Sequence, residues 1–249
     1  MLRASALILA FCAAALPLAA HAGAWKQPVD AGFSATSFVL RNTDLGLVSE
    51  FGYYRDFGIS KHFDLGIDLN QQDYQSGHAL IFARLPLRQG PDKTQIAAEL
   101  ALGANHTAML WHPMYRLTLS AGRSTSTKHG NLWGNLDLSY EQAGDRPHPL
   151  WKLNGSFGLD TQRRVKPLLQ LETSYGQGAD FSYTVTPSIR ISLAGLSLGW
   201  ARDRSRKGAP GKSKAGQQSF ENSELTIGLE YRRANTQSLG LKIALWHRF

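Results

Sequence analysis

Apolar and polar residues alternate along most of this chain, and this alternation constrains its fold more than any other feature. In FDLGIDLN (63–70) every second residue is large and apolar, and the residues between them are Asp, Gly or Asn. The same pattern runs through LDLSYE (136–141), YTVTPSIRIS (183–192) and ELTIGLEYR (224–232). Successive side chains of a β-strand point to opposite faces, so a period of two residues predicts strands with one apolar and one polar face. No convincing helical period of 3.6 residues follows residue 22, and the sequence therefore predicts an all-β fold.

Turn-forming segments such as RQGPDK (88–93) and QAGDRPHP (142–149) separate the alternating runs. We predict twelve strands, near residues 32–40, 45–59, 63–73, 77–87, 94–105, 114–123, 131–141, 150–160, 166–175, 182–193, 221–232 and 238–249. An even number of antiparallel strands places both ends of the chain on the same side of a sheet or barrel. In bacterial outer-membrane barrels that side is the periplasm. GLSLGWARDR (195–204) also alternates, one residue out of phase, which leaves thirteen or fourteen strands open. We interpret it as part of a long or bulged tenth strand.

Two architectures accommodate such strands: a soluble sandwich, which buries its apolar face, and a membrane barrel, which turns that face to lipid. The mean hydropathy of −0.26 would fit the sandwich, but an average conceals alternation. The high charge of the polar face favours the barrel. Aromatic residues near strand ends also favour it, because they resemble the interfacial girdles of such barrels. These residues are Tyr115, Tyr140, Trp151, Tyr175, Tyr183, Trp200 and Tyr231.

The segment LGLKIALWHRF (239–249) is a third argument for the barrel. Leu241, Ile243, Leu245 and Phe249 share one face, interrupted by His247. An outward-apolar strand that ends on an aromatic residue resembles the C-terminal β-signal of Gram-negative outer-membrane proteins. The resemblance implies that the barrel-assembly machinery reads this strand before it pairs with the first strand.

Longer stretches resemble a largely uncharacterised group of proteobacterial outer-membrane barrels, some related to transporters linked to aromatic-compound degradation. They are AGAW (22–25), EFGYYRDFGISKHFDLGIDL (50–69), ALIFARLPL (79–87) and GLKIALWHRF (240–249). The resemblance implies a closed antiparallel transmembrane β-barrel in the outer membrane. It implies no reaction.

Residues 1–22, MLRASALILAFCAAALPLAAHA, have the three parts of a secretory signal peptide. Arg3 precedes an apolar run, and Ala20-His21-Ala22 is a small-x-small cleavage pattern. We therefore expect cleavage before Gly23 and a single barrel domain of residues 23–249, rather than a membrane anchor. Cys12 is the only cysteine, so the processed chain has neither a disulfide nor a cysteine-based metal site.

The formal net charge is +8, and most of it comes from RDRSRKGAPGKSKAG (202–216). The Gly, Pro and Ser residues of this segment predict a loop. We weigh two interpretations: a contact with anionic lipopolysaccharide or an anionic solute, or a solvated loop without a partner. Because the charge is confined to one segment, no nucleic-acid surface is expected.

Charged residues of both signs fall on the predicted lumen face. They include Asp64, Asp68, Arg84, Glu99, Arg116, Asp137, Lys152, Glu172, Arg190, Glu230 and Lys242. One interpretation is a ladder of ion pairs that supports or blocks the barrel, and the other is a polar path for a small solute. We expect a narrow channel or facilitator whose solute is unknown, with a non-conducting structural barrel as one alternative.

An interfacial lipid-modifying hydrolase is the other alternative. It would need a serine within hydrogen-bond reach of a histidine. The serines near His62 and His78 do not match the His-x-Ser order of outer-membrane phospholipases, and His106 has none suitably placed. We interpret His112-Pro113 and His148-Pro149 as turns. We expect no enzyme, no cofactor and no metal site.

Overall fold

The alternating runs form twelve β-strands in the computed structural model, which describes residues 23–44, 46–73, 75–90, 93–194 and 222–249. They are β1 Gly32–Thr43, β2 Gly46–Gly58, β3 Asp64–Gln72, β4 Ser76–Arg88, β5 Gln95–Thr107, β6 Leu110–Thr127, β7 Gly130–Ala143, β8 Leu150–Asp160, β9 Val165–Gly176, β10 Ala179–Ser192, β11 Ser223–Arg233 and β12 Gln237–Arg248. Among these residues no helix is long and apolar enough to span a membrane.

Each strand pairs with its neighbours in sequence, and β1 closes the sheet by pairing with β12. The closing register runs from Phe33 opposite Arg248 to Asn42 opposite Leu239. A closed sheet leaves no strand edge unpaired. The prediction of an all-β, closed antiparallel barrel of twelve strands is confirmed for the described residues. The stretch 195–204, predicted to extend the tenth strand, lies outside them.

β6 extends further than predicted in both directions, and His112-Pro113 lies within it rather than in a turn. A two-residue turn at Ala108 and Met109, both with positive φ, lets pairing begin as early as Leu110. Proline is tolerated because the carbonyl of Pro113 accepts a hydrogen bond from Gly144, just beyond the regular β6–β7 ladder. The nitrogen and carbonyl of a strand residue face the same neighbour, so no regular ladder bond is lost.

The two ends of the barrel differ. We call the end where β1 begins and β12 finishes the terminal end, and the opposite end, where β1 turns into β2, the turn end. The residues that flank 195–221 lie at the terminal end: Leu193 donates to the carbonyl of Ser223, and Arg248 donates to that of Asn222. The basic segment 202–216 lies outside the described residues.

The outer surface is apolar and the interior is polar, the reverse of a water-soluble fold. Ile81 and Leu229 expose 67% and 68% of their surface on the outside. Arg190 and Glu141, which face inward, are each 1% exposed. Aromatic rings form a belt towards the turn end, with contacts between Tyr115 and Tyr140, Tyr140 and Trp151, and Tyr183 and Tyr231. Trp200, also predicted for this belt, lies outside the described residues.

Candidate functional site: the barrel lumen

A cavity of about 610 Å³ occupies the lumen. It reaches Gln72 and Ser76 at the turn end, and Gly23 also lines it. Its walls combine charged side chains with hydroxyls and amides from most of the strands. Such a lining can hydrogen-bond a polar molecule, and it offers little apolar surface to a hydrophobic one.

Arg84 on β4 is the centre of one buried ion-pair cluster. Its guanidinium donates to Asp56 Oδ2 at 3.0 Å, to Glu99 Oε2 at 2.7 Å and to the hydroxyl of Tyr54 at 2.6 Å. The ring of Tyr54 stacks on Phe82 with centroids 5.3 Å apart. One guanidinium thus compensates two carboxylates, which are at most 8% exposed. The hydroxyl of Tyr54, whose ring is held against Phe82, fixes the orientation of this guanidinium.

A second cluster lies nearer the turn end. Arg116 bonds to Asp68 at 2.7 Å and approaches Glu99 at 3.5 Å, which connects it to the first cluster. His78 Nε2 lies 3.3 Å from the same Asp68 carboxylate. These side chains come from β3, β4, β5 and β6, so they form a charged band along one wall of the cavity.

The other strands of the barrel carry further pairs. Lys152 bonds to Glu141 at 2.7 Å, and Lys242 lies 3.7 Å from Glu172. Arg41 pairs with both Glu50 and Glu230. The cations are thus compensated locally, and the lumen presents alternating charges rather than one sign.

Side chains narrow the terminal half of the lumen and leave a second cavity of about 200 Å³ beside Phe33, Trp133 and Trp246. Arg190 lies between two indole rings, 5.3 Å from the centroid of Trp133 and 5.6 Å from that of Trp246. It also donates to Asp160 at 2.6 Å and to Glu224 at 3.0 Å. Cation–π contacts and ion pairs reinforce each other when water is excluded, so this cluster narrows the path towards the terminal end.

Residues 23–29 also enter the lumen from the terminal end. Lys26 Nζ bonds to Asp64 at 2.6 Å, and the Gln27 amide donates to the other oxygen of Asp64 at 3.1 Å. The ring of Trp25 lies so close to Gly122 on β6 that an added Cβ there would come within 2.4 Å of it. The segment therefore blocks part of the lumen. The alternating pattern of apolar and polar residues did not predict this insertion.

All of the charged residues predicted for the lumen face take part in polar contacts inside the barrel, and several contact one another. The pairs formed among them are Asp68 with Arg116, Arg84 with Glu99, Arg116 with Glu99, and Lys242 with Glu172. The others meet further residues. Lys152 meets Glu141, and Arg190 meets Asp160 and Glu224, three carboxylates that alternation also places on the lumen face. Asp64 meets Lys26, Asp137 meets Asn135, and Glu230 meets Arg41. Sequence reasoning missed Arg41, Glu50 and Asp56, although their two-residue spacing from neighbouring lumen positions could have identified them.

The residues of the predicted β-signal lie on the outer surface. Leu241, Ile243 and Leu245 are 44%, 42% and 41% exposed. The ring of Phe249 stacks on Phe57 with centroids 6.3 Å apart, and the guanidinium of Arg55 lies 4.4 Å from its centre.

The structure also brings together a serine and a histidine that sequence reasoning did not consider. The hydroxyl of Ser223 on β11 lies 3.0 Å from Nδ1 of His247 on β12, near the terminal end. Ser223 is only 4% exposed. No carboxylate forms an ion pair with His247 in the described part of the chain. The hydroxyl of Ser223 is therefore poorly accessible as a nucleophile, and among the described residues no carboxylate is paired with the imidazole.

The lumen offers no evident metal site. In the described ranges, no group of three or more His, Cys, Asp or Glu side chains is arranged to hold a metal ion.

Near the turn end, the carboxyl group of Asp145 has a pKa below its ordinary value. Burial alone would raise that pKa, but hydrogen bonds from Thr107 and Asn105 and the charge of Arg146 outweigh it. The connection between β7 and β8 is thus fixed to the end of β5 by an ionised carboxylate.

Several outer-membrane channels of known structure have this fold. The KdgM porin in complex with disordered oligogalacturonate is 10% identical, with a TM-score of 0.54 over 87% of this chain and 99% of that one. The NanC porin is 7% identical, with a TM-score of 0.52 over 85% and 98%. An outer-membrane channel from Pseudomonas putida F1 is 9% identical, with a TM-score of 0.54 over 93% and 100%. No protein-family model and no curated protein matches the sequence. The chain thus has the architecture of a twelve-stranded porin-like barrel.

Proposed function

We propose that the protein is an outer-membrane channel or facilitator for small polar solutes. The observation that carries this proposal is the cavity of about 610 Å³, which is lined by charged and hydroxyl-bearing side chains and enclosed by a closed barrel. The fold shared with KdgM and NanC porins supports it. The relation to transporters of aromatic-compound degradation stays a prediction, and the polar lining does not favour an aromatic hydrocarbon as the solute.

The outer surface supports a membrane location. Burial of apolar surface is worth about 25 cal/mol per Å², and a soluble protein does not expose a continuous apolar band of this kind. Outward side chains such as Leu102 and Leu119 are more than half exposed, at 56% and 51%. Lipid would cover this band, and the closed ladder would leave no backbone group unsatisfied in it.

The paired charges favour a narrow path over a wide pore. Arg116 and Asp68 project into the cavity from β6 and β3 while compensating each other. A solute with both donors and acceptors can exchange its water for these groups without facing a net field of one sign. We therefore infer small polar or dipolar solutes rather than a strongly anionic polymer.

Single-channel conductance with charge reversal tests this proposal. We expect Arg116→Glu to raise the cation-to-anion permeability ratio about threefold or more, because it places a third carboxylate beside Asp68 and Glu99. The reversal potential in a salt gradient across a planar bilayer measures the ratio. The matched control is Arg123→Glu on the outer face of the same strand, which should leave the ratio unchanged. A barrel proved folded by its heat-modifiable migration on gels, but silent in the bilayer, would establish the non-conducting alternative.

The hydrolase alternative has one observation in its favour, the contact between Ser223 and His247. The burial of Ser223 and the lack of an orienting carboxylate argue against it. We expect the refolded protein to hydrolyse phospholipid in mixed micelles no faster than its Ser223→Ala variant. Fatty-acid release measures the rate. Release that depends on both Ser223 and His247 would replace the channel proposal with an enzyme.

Two partners remain proposals. The barrel-assembly machinery would recognise β12 through Leu241, Ile243, Leu245 and Phe249. The basic segment 202–216 would contact an anionic partner. Its flanking residues lie at the terminal end, so periplasmic termini would direct it away from the lipopolysaccharide leaflet.

A further inference from the structure

We propose that the lumen contains a site for a free α-ammonium group, formed by Asn135 and Asp137 of β7. The group that occupies it is the amino terminus of Gly23, released when residues 1–22 are removed. This inference rests on the predicted cleavage before Gly23. It does not depend on the channel proposal.

The backbone next to Gly23 is already held in this position. The amide of Ala24 donates to Asn135 Oδ1 at 3.2 Å, and the carbonyl of Ala24 accepts from Gln89 Nε2 at 2.9 Å. Ala24 is fully buried. Lys26 anchors the following turn of chain to Asp64 at 2.6 Å. The contacts of Ala24 with Asn135 and Gln89, together with the ion pair of Lys26, therefore determine where Gly23 lies in the lumen.

The carboxylate at this position lacks a cation. Asp137 Oδ2 accepts a hydrogen bond from Asn135 Nδ2 at 2.7 Å, but Asp137 Oδ1 is buried with no hydrogen-bond partner. In the part of the chain that the structure describes, no Lys, Arg or His forms an ion pair with Asp137, unlike its neighbours Glu99 and Glu141. Its cross-strand neighbour on β6 is Ser120, whose hydroxyl interacts with the carboxylate but carries no charge. A buried carboxylate without a cation costs free energy that an incoming cation would recover.

Gly23 lies beside that oxygen, and both residues line the same cavity. A Cβ added to Gly23 would lie 2.9 Å from Asp137 Oδ1 and 2.6 Å from Asn135 Nδ2, and the residue has a φ of 88°. Both the space and the backbone conformation therefore require glycine. A free amino group here would carry a positive charge and three donors near neutral pH, whereas a peptide nitrogen carries one donor and no charge. Processing thus supplies what Asp137 lacks.

The consequence is that removal of the signal peptide would lock residues 23–29 in the lumen. Before cleavage, the segment is held by the neutral contacts of Ala24, by the ion pair of Lys26 and by the contacts of Trp25 and Gln27, none of which fixes Gly23 through a charge. After cleavage, a second ion pair fixes its first residue to β7. Processing and closure of the terminal half of the lumen would then be coupled.

The test measures how accessible the α-amino group is in the full processed protein. The protein is purified from membranes in detergent, its first residue is identified by mass, and it is treated with an aldehyde reagent selective for α-amines. We expect labelling at least about tenfold slower in the folded barrel than in urea, because the amine must leave its charged hydrogen bond to Asp137 before it can react; tenfold corresponds to about 1.4 kcal/mol. Asp137→Asn should remove most of this protection. The matched control, Asp180→Asn at the exposed turn end, should keep it.

A second variant guards against misfolding of Asp137→Asn. One alanine inserted before Gly23 keeps a free amine but moves it about 3.8 Å along the chain, so protection should again be lost. Heat-modifiable migration shows that each variant is folded. A processed chain that does not begin at Gly23, equal labelling in folded and unfolded protein, or full protection in Asp137→Asn would each overturn the proposal.

Discussion

Replacing Arg84 with methionine is expected to lower the free energy of unfolding of the barrel by about 3–5 kcal/mol, the cost of breaking a buried ion pair from one side. The guanidinium compensates Asp56 and Glu99, which are 0% and 8% exposed. Methionine has a similar length and would pack on Phe82, but it leaves Asp56 without a cation and Glu99 with only the longer contact to Arg116 at 3.5 Å. Reversible urea unfolding in lipid vesicles, followed by tryptophan fluorescence, measures the change.

Two further variants identify the cause. Arg123→Met removes the same charge from the outer face of β6 and should change the unfolding free energy by no more than about 0.5 kcal/mol. Neutralising the carboxylates in the triple variant Arg84→Met, Asp56→Asn, Glu99→Gln should recover much of the loss, because the unpaired charges rather than the missing side chain carry the cost. A triple variant no more stable than Arg84→Met would show that packing around Arg84 is what matters.

Alternation predicted the strands well because the physical requirement behind it is local. Each strand needs one face for the outside and one for the lumen, and this choice is repeated every two residues. The largest deviation, the long β6, arose where a turn of only Ala108 and Met109 replaced the longer connection suggested by His112-Pro113. The ends of strands depend on turn geometry. A proline does not reliably mark a turn, because a strand accepts proline where its nitrogen faces a position outside the regular ladder of hydrogen bonds.

The sequence predicted which side chains of the candidate site face the lumen, but it did not predict which of them pair with one another. Alternation places Glu230 on the lumen face, but its pairing with Arg41 joins residues 189 positions apart. Such a contact depends on where the barrel closes. The insertion of residues 23–29 was not predictable at all, because it has no periodicity and its partners Asp64, Gly122 and Asn135 lie on three different strands.

These two features together explain why a closed barrel of this size can still be narrow. The ion-pair clusters around Arg84 and Arg190 occupy the terminal half of the lumen, and residues 23–29 lie against the same half. The cavity of about 610 Å³ extends from these groups to the turn end, and only about 200 Å³ is open beside Trp133 and Trp246. A solute entering there would meet compensated charges first and the inserted segment last, so passage would depend on how firmly that segment is held.

Phe249→Ser is expected to reduce the amount of assembled barrel in cells about tenfold or more, while the same variant refolded into vesicles loses only about 1–3 kcal/mol of stability. The ring stacks on Phe57 and lies under the guanidinium of Arg55. Its backbone exchanges hydrogen bonds with Gly32 at 2.9 and 3.1 Å, and the substitution preserves these. The modest loss of contacts therefore cannot by itself prevent folding.

The difference between the two measurements isolates recognition by the assembly machinery. Heat-modifiable migration of the membrane fraction measures assembly, and urea unfolding in vesicles measures stability. Phe181→Ser is the matched control, because Phe181 is 57% exposed on the outside near the turn end and lies far from the closing strand. It should assemble almost as well as the unaltered protein. If both variants lost assembly equally, general loss of apolar surface would explain the result. If Phe249→Ser assembled normally, β12 would act only by closing the barrel against β1, without being read beforehand.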